Sequence, residues 1–351
     1  MNIISARSPY QIIINELGQT GSKVELFVWN KGTTEPTIPT YIMSENIASI
    51  TQTQTSYNIS PYILEYINQI APTAVSVPTV ESNSNWCFIK VKRYKNVSGV
   101  FTLLNTLSYV GVNGYTDIAS GLNYDISDGY YALLGYTGAK IQYYNTVPYY
   151  NFLCERDSGL NYSVSYYDAA SNFLGYNTFL TSGATEIYNF KIPLAITNSI
   201  RYIIDDGTND LVEAFTEKLD ECKYTPMNCS FVNRLGGWQQ LTFFKAKTNS
   251  IAIRGSEYSL IQQNLNYDYR IGQKKSFNIN GTQTVKCNTG WVYENYNDLI
   301  KELLMSDTIL LNNYPVNLKT QSLTYKTKLK DKMISFEVEF EYSNSLLNNL
   351  V

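Results

Sequence analysis

Apolar and polar residues alternate along much of the first third of the chain, which is typical of half-buried β-strands. Residues 23–30 read KVELFVWN and place Val24, Leu26 and Val28 on one face of a predicted strand. Residues 86–94 (WCFIKVKRY) alternate in the same way. Two shorter strands are predicted at 10–15 and 37–43, and the prolines at the start of the second suit a sheet edge or a strand entry.

One short helix interrupts these strands. Ser60 is a suitable N-cap, Pro61 suits the first helical position, and apolar residues follow at helical spacing. We therefore predict an N-terminal β domain with one short helix over residues 1–115.

Glycine and tyrosine become dense after this region. Short predicted strands recur about every ten residues with Gly, Asn and Asp between them, a pattern that favours a sandwich or barrel. Residues 162–175 (YSVSYYDAASNFLG) predict a hairpin with its turn at 168–172. Residues 116–205 are predicted to form this second, Tyr/Gly-rich β domain.

The last region, residues 206–351, is predicted to be a third β domain. Residues 211–219 fit a short helix or a strand equally well. Strands are predicted at 229–234 and 238–245, and Gly236-Gly237 between them supplies the positive φ angles of a tight hairpin. We expect Phe231 and Trp238 to pack near this tip.

A helix is predicted over residues 297–305, where Asn297 can cap it and Asp298 suits its first turn. The apolar stripe of this helix consists of Leu299, Ile300, Leu303 and Leu304.

The chain is then predicted to close with a β-hairpin over residues 322–342, in which two alternating segments face each other. Leu323 is expected opposite Phe340, Leu329 opposite Ile334 and Lys326 opposite Glu337. Glu337, Glu339 and Glu341 then share the other face, which we interpret as solvated; lining the lumen of a ring is the alternative. The predicted fold class is therefore mainly β, with two to three sandwich- or barrel-like domains, a few short helices, and a C-terminal helix followed by a hairpin.

The amino-acid composition excludes more classes of function than any motif does. The 351 residues contain no histidine, which excludes Ser-His-Asp and Cys-His catalysis and zinc sites with histidine ligands. The net charge of −3 gives no basic footprint for specific nucleic-acid binding. No apolar run is long enough to span a membrane, and the N-terminus is not a secretory signal.

Five cysteines are widely spaced, and we predict that they are free thiols. Cys222 with Cys229 is the alternative, since the two could in principle pair.

Candidate chemistry is limited to carboxylates and tyrosines. Acidic clusters occur at Asp205-Asp206, Glu213 with Glu217, Asp220-Glu221 and the glutamate row near the end. A glycosidase would need two carboxylates about 5–10 Å apart, a distance that sequence cannot supply. The 31 tyrosines suit half-wet β surfaces and subunit interfaces, or sugar stacking as the alternative. We predict no catalytic, cofactor-binding or metal-binding residues, and no enzyme activity.

Several segments together resemble virion structural proteins of tailed phages that infect Bacteroidota. They cover both ends and about half the chain: SPYQIIINELGQTGSKVELFVWNKG with its continuation to residue 67, CKYTPMNCSFVNRLGGWQQLTFFKAK, and NTGWVYENYNDLIKELL through the terminal hairpin. The Tyr-rich middle has no part in this resemblance.

The resemblance implies a subunit of a tail, baseplate or neck assembly that is made in the host cytoplasm and located in the virion. Its expected partners are copies of itself in a symmetric homo-oligomer and neighbouring tail or neck proteins. The alternative is a receptor- or glycan-binding module at the tail tip, which would use the Tyr-rich middle to bind a host surface glycan.

Overall fold

The computed structural model describes residues 2–48, 52–71, 73–81, 84–126, 131–133, 135, 138, 140–156, 160–180, 186–194, 196, 198–261, 268, 270–320 and 333–347. In chain order its strands and helices are β1 (Asn2–Ser5), β2 (Gln11–Ile14), β3 (Gly21–Trp29), β4 (Tyr41–Asn46), β5 (Thr55–Asn58), α1 (Ser60–Tyr66), β6 (Thr79–Val80), β7 (Trp86–Val97), β8 (Val100–Val112), β9 (Tyr131–Leu133), β10 (Ile141–Tyr143), β11 (Tyr149–Arg156), β12 (Tyr162–Tyr167), β13 (Phe173–Leu180), β14 (Glu186–Pro193), β15 (Arg201–Asp205), β16 (Asp210–Lys218), β17 (Met227–Val232), β18 (Trp238–Phe243), β19 (Thr248–Ser259), β20 (Lys274–Tyr293), α2 (Tyr296–Leu304), β21 (Ile309–Leu311), β22 (Tyr314–Leu318) and β23 (Met333–Tyr342). The predicted fold class, mainly β with sandwich domains and a C-terminal helix followed by a hairpin, is confirmed.

The N-terminal strands form one five-stranded sheet in the order β1-β8-β7-β3-β4. Val24, Leu26 and Val28 are buried together, as the alternation of β3 predicts. Helix α1 contacts β3, β7 and β8, and its Ile63 is buried in the same core as the short β2–β5 ladder. The predicted edge position of the 37–43 segment is also confirmed, because β4 ends the sheet.

Ser60 does not cap helix α1, so that prediction is wrong. The N-cap is Ile59, and Ser60 is the first residue of the helix. The Ser60 hydroxyl donates to the Ser8 carbonyl at 2.6 Å and accepts from the Tyr10 amide at 2.9 Å. The side chain therefore ties the helix start to the strand β2 region instead of satisfying a helix amide.

The Tyr-rich middle is a sandwich of two sheets. One has the order β10-β16-β15-β12-β13 and the other β6-β14-β11-β9. Aromatic side chains fill the space between the sheets, including the fully buried Tyr150, Phe152, Tyr162, Tyr166 and Tyr202. Strands β12 and β13 form the predicted hairpin. The open choice at 211–219 resolves to a strand, since β16 pairs with both β10 and β15.

The last region contains a seven-stranded sheet in the order β18-β17-β21-β22-β23-β20-β19. Helix α2 packs on it through the buried Leu299, Ile300 and Leu303, as predicted. The predicted cap is wrong, because Asn295 precedes the helix and Asn297 is its second residue. Asp298 does lie in the first turn.

Residues 322–329 of the predicted terminal hairpin lie outside the described residues, and so do the pairs of Leu329 with Ile334 and Lys326 with Glu337. The described strand β23 runs between β22 and β20. Phe340 lies opposite Leu318 on one side and Val285 on the other. Leu318 therefore holds the position that we predicted for Leu323.

The β17–β18 hairpin turns at residues 233–237, as predicted, and Asn233 organises the turn. Its side-chain oxygen accepts from the amides of Leu235 and Gly237 at 3.0 and 3.1 Å. Gly236 has a φ of +85°, whereas Gly237 has no positive φ, so only one glycine has the predicted conformation. A Cβ atom on Gly236 would lie 2.9 Å from the Val112 Cβ, because the tip packs tightly against the end of β8.

The residues flanking this tip pack on two sides of the hairpin. Trp238 packs with Tyr149 and Val232, whereas Phe231 joins the core beneath α2. We expected both residues to pack near the tip, and the structure places them in two separate clusters.

The predicted domain limits at residues 115 and 205 stay predictions. Pairs of strands join residues on the two sides of each limit. Strand β6 pairs with β14 across residue 115, and β15 pairs with β16 across residue 205.

Candidate assembly surface

Strands β19 and β20 extend beyond the seven-stranded sheet as a long β-ribbon. We call residues 248–282 the arm. All twelve residues of β19 are exposed, and β19 is the edge of its sheet. On β20, residues 274–279 are exposed, while burial begins near Gly281. Among the described strands, the arm therefore offers the outer edge of β19, which pairs only with β20, and two open faces.

Apolar side chains lie on both faces of the arm. Alternation along β19 puts Ile251 and Ile253 on one face, and Ile279 joins them beside Gly255. Ile253 is 73% exposed. Tyr258 and Phe277 lie on the other face, with ring centroids 5.7 Å apart. An exposed edge strand with large apolar residues on both faces is a surface for pairing with another chain.

The base of the arm is held by the C-terminal residues of the described chain. The Leu346 amide donates to the Gly281 carbonyl at 2.9 Å. The Asn280 side chain donates to the Leu347 carbonyl at 2.9 Å and accepts from the Leu347 amide at 3.0 Å. These bonds fix the direction in which the arm leaves the sheet.

The arm is basic in an acidic chain. Residues 248–282 contain four basic and two acidic residues, a net charge of +2, whereas the whole chain has −3. Arg254 and Lys275 lie on the same face as Tyr258 and Phe277, because the ladder places Lys275 opposite Tyr258. This face, which we call the basic aromatic face, combines positive charge with two rings.

The carboxylates of the acidic clusters accept hydrogen bonds from turn amides or form ion pairs with basic side chains. The Asp206 carboxylate accepts from the amides of Asn209 and Thr208, and these hydrogen bonds lower the pKa of Asp206. Glu213 pairs with Arg201. Glu221 accepts from Lys245 at 2.8 Å, which lowers the pKa of Glu221. Glu217 lies 3.4 Å from the Lys140 ammonium.

The glutamate row on β23 faces lysines on both neighbouring strands. Glu337 contacts Lys286 at 2.5 Å, and the pair raises the pKa of Lys286. Glu341 contacts Lys319 at 2.7 Å. Glu337 is exposed, and Glu339 and Glu341 are half-buried. The lysines thus offset the charge of the row, which weakens the alternative that the row lines the lumen of a ring as an acidic surface.

Two buried carboxylates carry no sequence signal that marks them. Glu81 lies 3.1 Å from the equally buried Lys191 ammonium and accepts from Asn151 at 2.8 Å. Glu302 on α2 is buried beside Arg234 at 3.5 Å, and burial raises the pKa of Glu302. Spacing along the chain cannot reveal either pair, because the partners are more than sixty residues apart.

Glu302 borders a cleft of about 270 Å³ between the end of the first sheet and α2. The cleft is lined by Tyr115, Asp117, Arg234, Asp298, Lys301 and Glu302. Arg234 lies between the carboxylates of Glu302 and Asp117, at 3.5 and 3.8 Å. One Glu302 oxygen pairs with Arg234 and the other is sealed from solvent without a hydrogen-bond partner, so this charged cluster joins the two regions.

All five cysteines are free thiols. Cys222 is exposed and the other four are buried, so the alternative pairing of Cys222 with Cys229 does not form. Burial raises the pKa of Cys87 and Cys154 to about 12. Among the described residues, no group of three or more Cys, Asp or Glu side chains is placed to hold a metal ion.

Within the described part of the chain, no helix has the length and apolar character needed to cross a membrane. No protein-family model and no curated protein sequence matches this chain. The arm is therefore the main functional candidate that geometry provides. We did not predict the arm from the sequence, although residues 251–259 and 276–293 contain alternating stretches that indicate two strands.

Proposed function

We propose that this protein is a non-enzymatic structural subunit of a phage tail, baseplate or neck assembly, in which copies form a symmetric ring or tube. The observation that carries the proposal is the arm: an exposed, twelve-residue edge strand with apolar side chains on both faces. The resemblance of both chain ends to virion structural proteins supplies the class of assembly.

The dimensions of the arm suit an interface. A strand of twelve residues extends about 40 Å, and a two-stranded ribbon is about 10 Å wide. Each face then offers about 400 Å², so one covered face supplies about half, and two covered faces supply all, of the roughly 800 Å² per partner of a standard interface. A monomer would expose all of this apolar ribbon to water, which costs solubility.

A second copy of the chain is the occupant that charge favours. The arm carries +2, so the rest of the chain carries −5, and copies attract each other when the arm of one meets the body of another. An arm that binds a different part of its neighbour makes a head-to-tail contact, and such contacts generate closed rings or open helical filaments.

Removing the arm tests this proposal. In the arm-less variant, Asn-Gly replaces residues 254–280 and closes a two-residue turn between Ile253 and Gly281, which are ladder partners. We expect the wild-type protein to form oligomers whose size rises with concentration in sedimentation velocity, and the arm-less variant to stay monomeric. Val100→Ser, at a position that is 67% exposed on the β7–β8 hairpin, is the control and should assemble normally. A monomeric wild-type protein, or an arm-less variant that still assembles, refutes the proposal.

A glycan-binding module at a tail tip is the second candidate, and the exposed rings of the Tyr-rich sandwich favour it. Phe173 and Tyr176 stack with centroids 6.4 Å apart on strand β13, and aromatic faces of this kind can bind pyranose rings. A glycan array separates the two functions: binding that Tyr176→Ala abolishes would support the second candidate.

A further inference from the structure

The outer face of the sheet β10-β16-β15-β12-β13 carries a second exposed patch of rings. The ladder aligns Phe173, Tyr167, Arg201 and Phe215 in one row across four strands. Phe173 is 56% exposed. The next row contains Tyr176, Ser165, Ile203 and Glu213, and Tyr176 is 65% exposed. We call these two rows the aromatic face.

The rings of the aromatic face contact one another. Tyr167 meets Phe173 edge-on with centroids 5.8 Å apart, and Phe173 stacks on Tyr176 at 6.4 Å. The Arg201 guanidinium lies 5.1 Å from the centre of the Tyr167 ring. Contacts on this side hold the rings in place before any partner arrives, which reduces the entropy that binding would cost.

The sandwich that carries this face is the most acidic part of the chain. Residues 141–218 contain nine acidic and four basic residues, a net charge of −5. Three of the acids, Asp205, Asp206 and Asp210, lie at the turn between β15 and β16, at one end of the face. A basic partner is therefore favoured over an anionic one.

We propose that the arm of one copy docks on the aromatic face of the next copy, with the basic aromatic face of the arm turned toward it. Arg254 and Lys275 would approach the acidic end of the sheet, while Tyr258 and Phe277 would pack on Phe173 and Tyr176. This inference rests on the proposed function and names the surface that receives the arm.

The contact is head-to-tail because its two halves lie on different sheets of one chain. The arm extends from β19–β20, and the aromatic face belongs to β12–β16. Each copy therefore presents one arm and one receiving face, so that every added copy exposes the same two surfaces again. This one kind of contact closes into a ring, or continues as an open helical filament if the rotation between copies does not close.

A complementation experiment tests the inference. The face variant carries Phe173→Ser and Tyr176→Arg, two exposed positions where substitution leaves the buried core intact. Its charge repels the arm, and losing buried rings weakens an interface on the order of tenfold or more per ring. The control carries Val100→Ser and Tyr314→Arg at exposed positions elsewhere.

The arm-less and face variants should each be monomeric in sedimentation velocity, and mixing them should give a 1:1 complex, since one retains the face and the other the arm. The control should assemble like the wild type. A face variant that assembles normally overturns the docking site while leaving the arm proposal intact. If that variant also loses glycan binding, the rings of the aromatic face bind a glycan instead. Two monomeric variants that fail to combine overturn the head-to-tail contact. An arm-less variant that assembles refutes the proposed function itself.

Discussion

Replacing Gly236 by alanine should destabilise the protein through two separable effects. The first is backbone strain, because φ is +85° at Gly236 and an L-residue in this conformation costs about 1–2 kcal/mol. The second is a clash, because the new Cβ would lie 2.9 Å from Val112 Cβ and 3.0 Å from the amide nitrogens of Asn113 and Gly114. Two of these three neighbours are backbone atoms, which cannot rotate away.

Gly99 provides a matched control for the strain. Its φ is +91°, at the tip of the β7–β8 hairpin, and a Cβ there would meet no atom within 4 Å. Gly99→Ala should therefore cost only the strain of about 1–2 kcal/mol. Overpacking typically costs a further 1–3 kcal/mol, so Gly236→Ala should cost about 2–5 kcal/mol in all.

Thermal unfolding followed by circular dichroism measures both variants. For a region of 150–250 residues, 1 kcal/mol lowers the Tm by about 2–4 °C, so Gly236→Ala should unfold clearly below Gly99→Ala. Equal losses in the two variants would refute the packing of the hairpin tip against the end of β8. A Gly236→Ala protein as stable as the wild type would refute the strain as well.

Three further predictions concern buried groups. Burial raises the pKa of Glu302, so its protonated form stabilises the fold at acid pH, and this stability is lost as pH rises through the raised pKa. Glu302→Gln should therefore be more stable than the wild type at pH 7, and the gain in Tm should shrink toward pH 4. A variant that is less stable than the wild type at pH 7 would contradict this reasoning. Ellman's reagent should react rapidly with one thiol of the folded protein, that of Cys222, and with five thiols after denaturation without reductant. Two fast thiols, or fewer than five in total, would count against five free cysteines of which Cys222 is exposed. Lys191→Met leaves the Glu81 charge buried without its ion pair and should lower the free energy of unfolding by about 3–5 kcal/mol. The double variant that also carries Glu81→Gln should recover part of this free energy. Urea unfolding that shows no recovery would argue against the pair.

Local patterns predicted the elements whose stability depends on one buried face. Strand β3 follows its alternation because the same face meets the core along its whole length. Helix caps were harder to predict, since Ser60 and Asn297 are suitable capping residues by type only. The Ser60 hydroxyl bonds to Ser8 and Tyr10 instead, fifty residues away. Tertiary hydrogen-bond partners thus decide whether a polar residue caps a helix.

The two surfaces that we propose for assembly were harder still to predict. The arm alternates in sequence, but an alternating strand normally buries one face, and nothing local reveals that both faces of this ribbon stay exposed. The aromatic face depends on register across four strands, which brings Phe173 beside Tyr167 and Arg201. Sequence patterns describe single strands, whereas these surfaces arise from long-range pairing.

A cryo-EM map of the phage particle to which we propose this chain belongs tests the central claim most directly. We expect several copies of the chain around the tail or neck axis, with each arm covered by the neighbouring copy and its Tyr258 and Phe277 side chains removed from solvent. A complete map of tail and neck that lacks the chain, or contains it only as an isolated copy with the arm exposed, would contradict the account.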